Sequence, residues 1–72
     1  MEIAKKIGLN LKMARKAKGY TQKEVADIIH MTQQQYSRFE NGVFELNYSQ
    51  ILFLCELFDM SPNELCGYKD IL

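Results

Sequence analysis

The sequence has few of the residues that build metal-bound or cross-linked domains, and it has no long hydrophobic run. Its only two cysteines, Cys55 and Cys66, lie 11 residues apart without a neighbouring histidine. That spacing fits neither a zinc site nor a disulfide scaffold, so we expect reduced thiols in a cytoplasmic protein, with no metal and no cofactor. No apolar run approaches the roughly 20 residues that cross a membrane. Residues 1–6 lack the apolar core of a secretion signal.

The length also excludes several classes of protein. A chain of 72 residues has room for one modest core, so residues 1–72 are predicted to form a single domain. A hydrophobic content of 47% with 25% charged residues is typical of a globular fold. The sequence shows no phosphate-binding loop and no paired titratable groups. We therefore do not expect an enzyme.

Charge is divided unevenly along the chain although the net charge is zero. Residues 1–42 carry eight Lys or Arg against four Asp or Glu, whereas residues 43–72 carry one against five. The two segments therefore have net charges of +4 and −4. Such asymmetry favours an anionic partner on one side of the molecule, although small domains also acquire it by chance.

Three short segments share the signature of a helix N-terminus. In each, a Ser or Thr is followed three residues later by Glu or Gln, which forms a capping box, and apolar residues flank the pair as a hydrophobic staple. The three capping residues are Thr21, Thr32 and Ser61. Pro62 stands at the first helical position after the last of them, where its missing N–H is tolerated.

The spacing of the first two caps predicts a helix-turn-helix. Apolar residues at helical intervals predict a first helix over about residues 3–18 that ends at Gly19. Thr21 and Thr32 follow only 11 residues apart, which leaves about two turns of helix and a turn of roughly three residues. Two short helices joined this closely cross at a steep angle, the geometry of a helix-turn-helix over about residues 21–41.

Two more helices complete the predicted fold. A fourth helix is expected over about residues 48–58, opening at Asn47 or Tyr48, and a short fifth helix over about residues 62–66, ending at Gly67. No segment alternates polar and apolar residues in the manner of a β-strand. The predicted fold class is all-α, a compact domain of five helices.

The sequence resembles the Cro/repressor-type (xenobiotic-response-element) helix-turn-helix family at residues 21–26 (TQKEVA) and 31–42 (MTQQQYSRFENG). The resemblance extends to Ile7, Gly8, Leu11 and Arg15 before these segments and to Ile51 and residues 60–65 after them. The resemblance covers nearly the whole chain. It implies a five-helix, lambda-repressor-like domain that binds operator DNA, usually as a dimer on a two-fold site. The sequence departs from the family at His30, where the turn usually has Gly, at residues 43–46, where the loop is commonly basic with a proline, and at Ala14, which replaces a bulkier core residue.

The resemblance places base recognition on the exposed face of the third helix. Glutamine can bond adenine, and arginine can bond guanine, through two hydrogen bonds in the major groove. The expected base contacts are Gln33, Gln34, Ser37 and Arg38. The alternative is that this polar face is simply solvated. Tyr36 and Phe39 are expected in the core, and Gln35 in its capping box.

Phosphate contacts are expected beside these base contacts. Gln22 opens the second helix, where unpaired N–H groups and the helix dipole favour an anion, and the matching glutamine of the family donates to phosphate. Such contacts set the register on DNA without reading sequence. The expected phosphate contacts are Gln22, Lys23, Thr32, Asn41 and Gly42.

Two further groups of residues are predicted to hold the domain or its dimer together. Arg15 and Glu40 match family positions that form an ion pair inside the domain. The fourth helix is more apolar than a monomer can cover, which predicts a homodimer patch. Its expected members are Val43, Phe44, Leu46, Leu52 and Phe53, with Ile71 and Leu72. Alternatively, these residues pack internally or bind another protein.

The sequence therefore favours a sequence-specific regulator of transcription that binds double-stranded DNA. We expect a repressor from a bacterium, phage or mobile element that places its third helix in the major groove of a two-fold operator. Its partners would be DNA, a second copy and in some cases another protein, without a membrane, and it would lie in the cytoplasm on the nucleoid. The alternative is an antitoxin-like or other protein-interaction module on the same fold, which would use its acidic, apolar C-terminal half.

Overall fold

The computed structural model describes residues 2–44 and 46–66, and over these residues the chain forms five α-helices and no strand. The predicted all-α class of five helices is confirmed. The helices are α1 (Glu2–Lys18), α2 (Gln22–Ile28), α3 (Gln33–Glu40), α4 (Tyr48–Phe58) and α5 (Pro62–Cys66). None of them is long and apolar enough to cross a bilayer. The predicted end of α5 at Gly67, and Ile71 and Leu72 of the predicted patch, lie outside the described residues.

Four of the helices end in the same hydrogen-bonded turn. The residue after the last turn takes a left-handed conformation, and its N–H and that of the next residue donate back to carbonyls of the helix, which is a Schellman motif. The four left-handed residues are Gly19, His30, Gly42 and Asp59, with φ of 81°, 60°, 73° and 53°. His30 therefore adopts the conformation that the family usually gives to glycine.

Three of these turns lead straight into the next helix through a connector of three residues. Counted from the left-handed residue, the connectors are residues 19–21, 30–32 and 59–61, and Ile29 precedes the second of them as the C-cap of α2. In each connector the first residue is left-handed, the middle one is apolar and packs against the core, and the third closes a capping box on the next helix. The middle residue therefore donates its N–H to the end of one helix and also occupies the position of the hydrophobic staple before the next helix. This local geometry fixes the direction in which each helix departs.

A fourth capping box opens α4. The Asn47 Oδ1 atom accepts the Gln50 N–H at 2.8 Å, and the Gln50 Oε1 atom accepts the Asn47 N–H at 2.9 Å. Asn47 is therefore the cap and Tyr48 is the first helical residue. A capping box defined by Ser or Thr at the cap does not include this Asn-x-x-Gln segment, so the sequence leaves the choice between Asn47 and Tyr48 open.

The core draws on one face of every helix. Its largest fully buried side chains are Tyr36, Leu11, Leu54, Leu65 and Val25. Ala26 of α2 is 1% exposed. The main packing partners of α1 are α3 and α5, while α2 packs on α3 and α4 on α5. The Asn10 Nδ2 atom also donates to the Leu65 carbonyl at 2.8 Å, which ties α5 to α1.

The backbones of α1 and α3 touch at Gly8. A Cβ atom at this position would clash with the carbonyl oxygens of Phe39 and Glu40. Glycine therefore lets α1 lie directly on the last turn of α3. This contact supports α3 from behind and leaves its opposite face at the surface.

We predict that His30→Gly stabilises the domain. The left-handed conformation costs a residue with a Cβ atom about 1–2 kcal/mol. Glycine avoids this cost, but it loses more backbone entropy on folding, which offsets part of the gain. The expected gain in the free energy of unfolding is about 1 kcal/mol, or roughly 4–8 °C in melting temperature for a domain of this size. Denaturant and thermal unfolding followed by circular dichroism measure both quantities.

Lys16→Gly is the matched control. Lys16 is exposed within α1, where glycine costs about 1 kcal/mol relative to a good helix former. The two glycine substitutions should therefore act in opposite directions. A loss of stability in His30→Gly would contradict the strain assigned to the α2–α3 connector.

Candidate nucleic-acid interface

The outward face of α3 gathers the predicted base-contact residues into one shallow concavity. Its lining residues are Gln22, Gln33, Gln34, Ser37 and Arg38, and we call this surface the reading face. The three residues Gln33, Gln34 and Arg38 are exposed. Because Gln22 belongs to α2, the surface combines the start of one helix with the length of the next.

The opposite side of α3 lies in the protein. Tyr36 is fully buried, and Phe39 is half-buried against the core. Neither aromatic ring is available to stack on a base. The Gln35 Oε1 atom accepts the Thr32 N–H at 3.0 Å, so Gln35 forms the capping box. These positions agree with the sequence interpretation of each residue.

A buried carboxylate at the end of α3 ties three helices together. The Arg15 Nε atom donates to Glu40 Oε2 at 2.7 Å, and Arg15 Nη2 donates to Glu40 Oε1 at 3.3 Å. The remaining nitrogen, Arg15 Nη1, donates to the Tyr20 carbonyl at 2.9 Å in the α1–α2 connector. The side chains of Arg15 and Glu40 are 10% and 1% exposed. The pair predicted from the family resemblance is thus a bidentate contact inside the domain.

Gln22 adds a link that the sequence analysis missed. Its Nε2 atom donates to Glu40 Oε1 at 3.1 Å, so the first residue of α2 is fastened to the last residue of α3. An amide nitrogen has two hydrogens, and the second remains available for a phosphate. The distant contact between these two side chains has no signature in local spacing. Gln22 therefore positions the reading face as well as lining it.

The network shifts the pKa values of its members. Burial by itself would raise the pKa of Glu40, but the hydrogen bonds from Arg15 and Gln22 outweigh it and hold this pKa below the ordinary value. The hydrogen bond to Glu40 raises the pKa of Arg15 despite burial. Both groups are therefore charged at neutral pH.

The Tyr36 hydroxyl lies at the edge of this network. Burial, with the nearby negative charge of Glu40, raises the pKa of Tyr36. In the described part of the chain, however, no group lies within hydrogen-bonding geometry of the Tyr36 hydroxyl oxygen. Tyr36 therefore contributes to the core through its ring, while Arg15 and Gln22 hold the carboxylate.

The other residues predicted to contact phosphate have separate surroundings. Lys23 lies on α2 in an exposed ion pair with Asp27, at 3.3 Å between Nζ and Oδ2; such pairs are worth at most about 1 kcal/mol and give way readily. The Thr32 hydroxyl accepts the Gln35 N–H at 3.1 Å and keeps its own hydrogen as a donor. Asn41 is exposed beside Ser37.

Gly42 does not fit the predicted phosphate contact. The residue is buried against Lys5 of α1, and its N–H donates to the Phe39 carbonyl at 3.2 Å in the Schellman turn. It therefore has neither a side chain nor a free N–H to offer a phosphate. The end of α3 already uses this donor, so Gly42 is not part of the interface.

Arg38 of the reading face contacts an aromatic ring of the loop that follows α3. The guanidinium carbon of Arg38 lies 5.6 Å from the centre of the Phe44 ring, within the range of a cation–π contact. From the sequence, Arg38 was predicted to contact a base and Phe44 to belong to a dimer patch. The contact depends on the loop folding back beside α3, which no local motif predicts.

The residues of the predicted dimer patch lie in different surroundings. Phe44 lines a hollow with Ile3 and Ile7 of α1, whereas Leu52 and Phe53 line a groove between α4 and α5. The exposed members are Val43 at 63%, Phe44 at 51%, Leu52 at 39% and Phe53 at 45%. Leu46 does not fit the predicted exposed patch, because it is half-buried and packs against the core.

The groove between α4 and α5 combines apolar and acidic side chains. It contains Leu52, Phe53 and Met60 together with Glu56, Asp59 and Glu64. In the described ranges, no group of three or more His, Cys, Asp or Glu side chains is placed to hold a metal ion. The groove is therefore an acidic-rimmed apolar surface.

Comparison with known proteins gives two findings. Residues 11–65 match the protein family described as "Helix-turn-helix". The antitoxin PezA of Streptococcus pneumoniae serotype 4 is 33% identical to this chain over 66 residues, which cover 92% of this chain and 42% of the relative. The chain thus spans less than half the length of that relative. No solved structure gives a significant match.

We predict that Glu40→Gln destabilises the domain by roughly 3 kcal/mol at neutral pH, because it leaves the Arg15 charge buried without its partner. The lowered pKa of Glu40 also fixes the pH dependence. A carboxyl whose folded pKa is lowered stabilises the fold above its unfolded pKa of about 4.3, and this contribution is lost as the pH falls through the folded value. Denaturant unfolding between pH 7 and pH 3 should show the two proteins converging in acid.

Glu64→Gln is the control for this experiment. The pKa of Glu64 is also lowered, by its hydrogen bonds with Ser61 at the exposed start of α5. Its replacement should leave most of the neutral-pH stability in place. Equal losses in the two variants, or a Glu40→Gln protein as stable as the wild type, would contradict the central role of the buried carboxylate.

Proposed function

This chain belongs to the helix-turn-helix family of DNA-binding regulators, and from that membership we propose that it recognises a specific double-stranded sequence with α3 in the major groove. The observation that carries the proposal is the reading face. Glutamine and arginine side chains that can bond base edges share one exposed surface. The core fixes the other side of the same helix.

Within the reading face, we assign the base contacts to Gln33, Gln34, Ser37 and Arg38. The first two lie in the opening turn of α3, the part of a recognition helix that usually meets base edges. Arg38 lies one turn further along the helix, where it can bond guanine through two hydrogens. The side chain of Ser37 lies between them and can donate or accept.

Hydrogen-bond donors around the base contacts are available to bind phosphates of the DNA backbone. Gln22 has one amide hydrogen left for a phosphate, Thr32 has its hydroxyl hydrogen, and Lys23 and Asn41 are exposed beside them. The net charge of +4 over residues 1–42 favours approach to a polyanion. Because the whole chain has no net charge, we expect its non-specific affinity to be lower than that of a basic repressor.

We propose that two copies associate through Leu52 and Phe53 of α4, which are large and exposed. A two-fold dimer would bring two copies of α3 to half-sites about 34 Å apart, one turn of DNA. Bound to such an operator, the protein would act as a repressor by occupying the site. It would act in the cytoplasm, on the nucleoid.

A second candidate is an antitoxin-like module that also binds a protein partner. The similarity to an antitoxin and the groove between α4 and α5 favour it. The acidic side chains Glu56, Asp59 and Glu64 surround apolar ones there, which suits a basic, amphipathic segment. Unlike a second copy of the chain, which would bring the same negative charges to this groove, a partner of opposite charge would pair with them.

We predict that Gln33→Ala relaxes the preference at one base pair, because it removes a base contact worth about 1–3 kcal/mol of discrimination. Lys23→Gln should instead weaken binding to all sequences alike and reduce the slope of log affinity against log salt by about one. Selection of duplexes from a random pool, followed by titration at two salt concentrations, measures both effects.

Lys12→Gln is the matched control for the charge change, since Lys12 is exposed on α1 and outside the reading face. It should leave the salt slope closer to that of the wild type than Lys23→Gln does. A wild-type protein that enriches no sequence would overturn the proposed recognition.

The dimer is tested with Phe53→Glu. We predict that the wild type sediments as a dimer at high micromolar concentration and that the variant sediments as a monomer, because a charge replaces an apolar contact. Met13→Glu, at a side chain of α1 that is 61% exposed, should remain dimeric. A monomeric wild type would remove α4 as the self-association surface.

A further inference from the structure

The contact between Arg38 and Phe44 joins the reading face to a loop that has no basic residue of its own. Residues 43–46 read Val-Phe-Glu-Leu, so the loop brings no cation to DNA. Phe44 instead places an aromatic ring against the only cation of α3, with 5.6 Å between the guanidinium carbon and the ring centre. The loop therefore contacts the reading face through an aromatic ring and not through a cation.

The Phe44 ring is itself held from another side. It lines a hollow whose other walls are Ile3, Ala4, Ile7, Phe39 and Leu46. Side chains of α1 and α3 thus limit the positions open to the ring. The turn leading to the loop is fixed as well, because the Val43 N–H donates to the Arg38 carbonyl at 2.9 Å. Phe44 is therefore a supported platform, although 51% of it is exposed.

An arginine on an exposed helix face otherwise samples many rotamers. Ordering such a side chain on binding costs roughly 0.5–1.5 kcal/mol by general estimates for interfaces. A cation–π contact at an exposed site restricts the guanidinium before the ligand arrives. The planar guanidinium, with its donors along the rim, can lie on a ring and still present hydrogens outward.

We propose that Phe44 is a positioning residue for DNA recognition: its ring holds the Arg38 guanidinium where that group meets one base pair, and so sets the guanine preference there. The proposal rests on the proposed function, since it needs α3 to lie in the major groove. It assigns a specificity role to a loop residue that does not itself reach a base. The ligand atoms are the O6 and N7 acceptors of guanine.

The experiment compares the full chain with Phe44→Leu, Phe44→Tyr and Arg38→Ala. Arg38→Ala first identifies the base pair whose preference depends on Arg38, by duplex selection and competition titration. Phe44→Leu keeps an apolar side chain but removes the ring, so we expect discrimination at that same base pair to fall by about two- to fivefold, the fold-change equivalent to an exposed cation–π contact. Preference at the base pair that Gln33→Ala relaxes should be unchanged. Phe44→Tyr keeps the ring and should restore discrimination.

A spectroscopic measurement examines the stack without DNA. In the free protein, the ring should shift the NMR signals of the Arg38 side-chain Nε–H and adjoining methylene groups. Phe44→Leu should abolish this ring-current shift and Phe44→Tyr should retain it. Tyr48→Leu, which removes another exposed aromatic side chain from α4, is the matched control and should change neither the shift nor the base preference.

The possible outcomes separate the two proposals. If the wild type enriches no duplex, the proposed function fails and this inference fails with it. If the wild type is selective and Phe44→Leu keeps full discrimination at the Arg38 base pair, only the positioning role is overturned. A uniform loss at every base pair, or an unshifted Arg38 signal in the wild type, would likewise overturn that role.

Discussion

The fold depends most on the buried carboxylate of Glu40 at the end of α3. It accepts hydrogen bonds from Arg15 of α1 and Gln22 of α2, and the same arginine also binds the Tyr20 carbonyl in the connector between those helices. If α3 slid or rotated, a buried charge would lose its partners at a cost of several kcal/mol. The carboxylate therefore selects one arrangement of three helices, and the reading face exists only in that arrangement.

Local backbone chemistry provides the second constraint. Each three-residue connector ends one helix with a left-handed residue and begins the next with a capping box. Because all three positions have assigned roles, the connector between α2 and α3 has little freedom in direction. The domain can therefore present a short helix of only eight residues as a rigid surface. Gly8 adds to this rigidity by letting the α1 and α3 backbones meet.

The sequence predicted those features that depend on near neighbours. Caps at Thr21, Thr32 and Ser61, and helix-forming apolar spacing, act within a few residues, so both could be recognised directly. Resemblance to a family supplied the pair of Arg15 and Glu40, which lie 25 residues apart. Residue type and spacing could not reveal that Leu46 turns inward or that Gly42 is buried with its N–H already used. Burial of a loop residue depends on what packs over it.

The amino-acid order alone determined the capping boxes at Thr21, Thr32 and Ser61, the end of α1 at Gly19, the five-helix class and the identity of the polar side chains along α3. Only the tertiary structure decided that Gln22 would share the Glu40 carboxylate and that Arg38 would lie on the Phe44 ring. The reason is physical. Caps and turns are satisfied by atoms a few bonds along the chain, whereas these two contacts form only after separate segments have been brought together by the core.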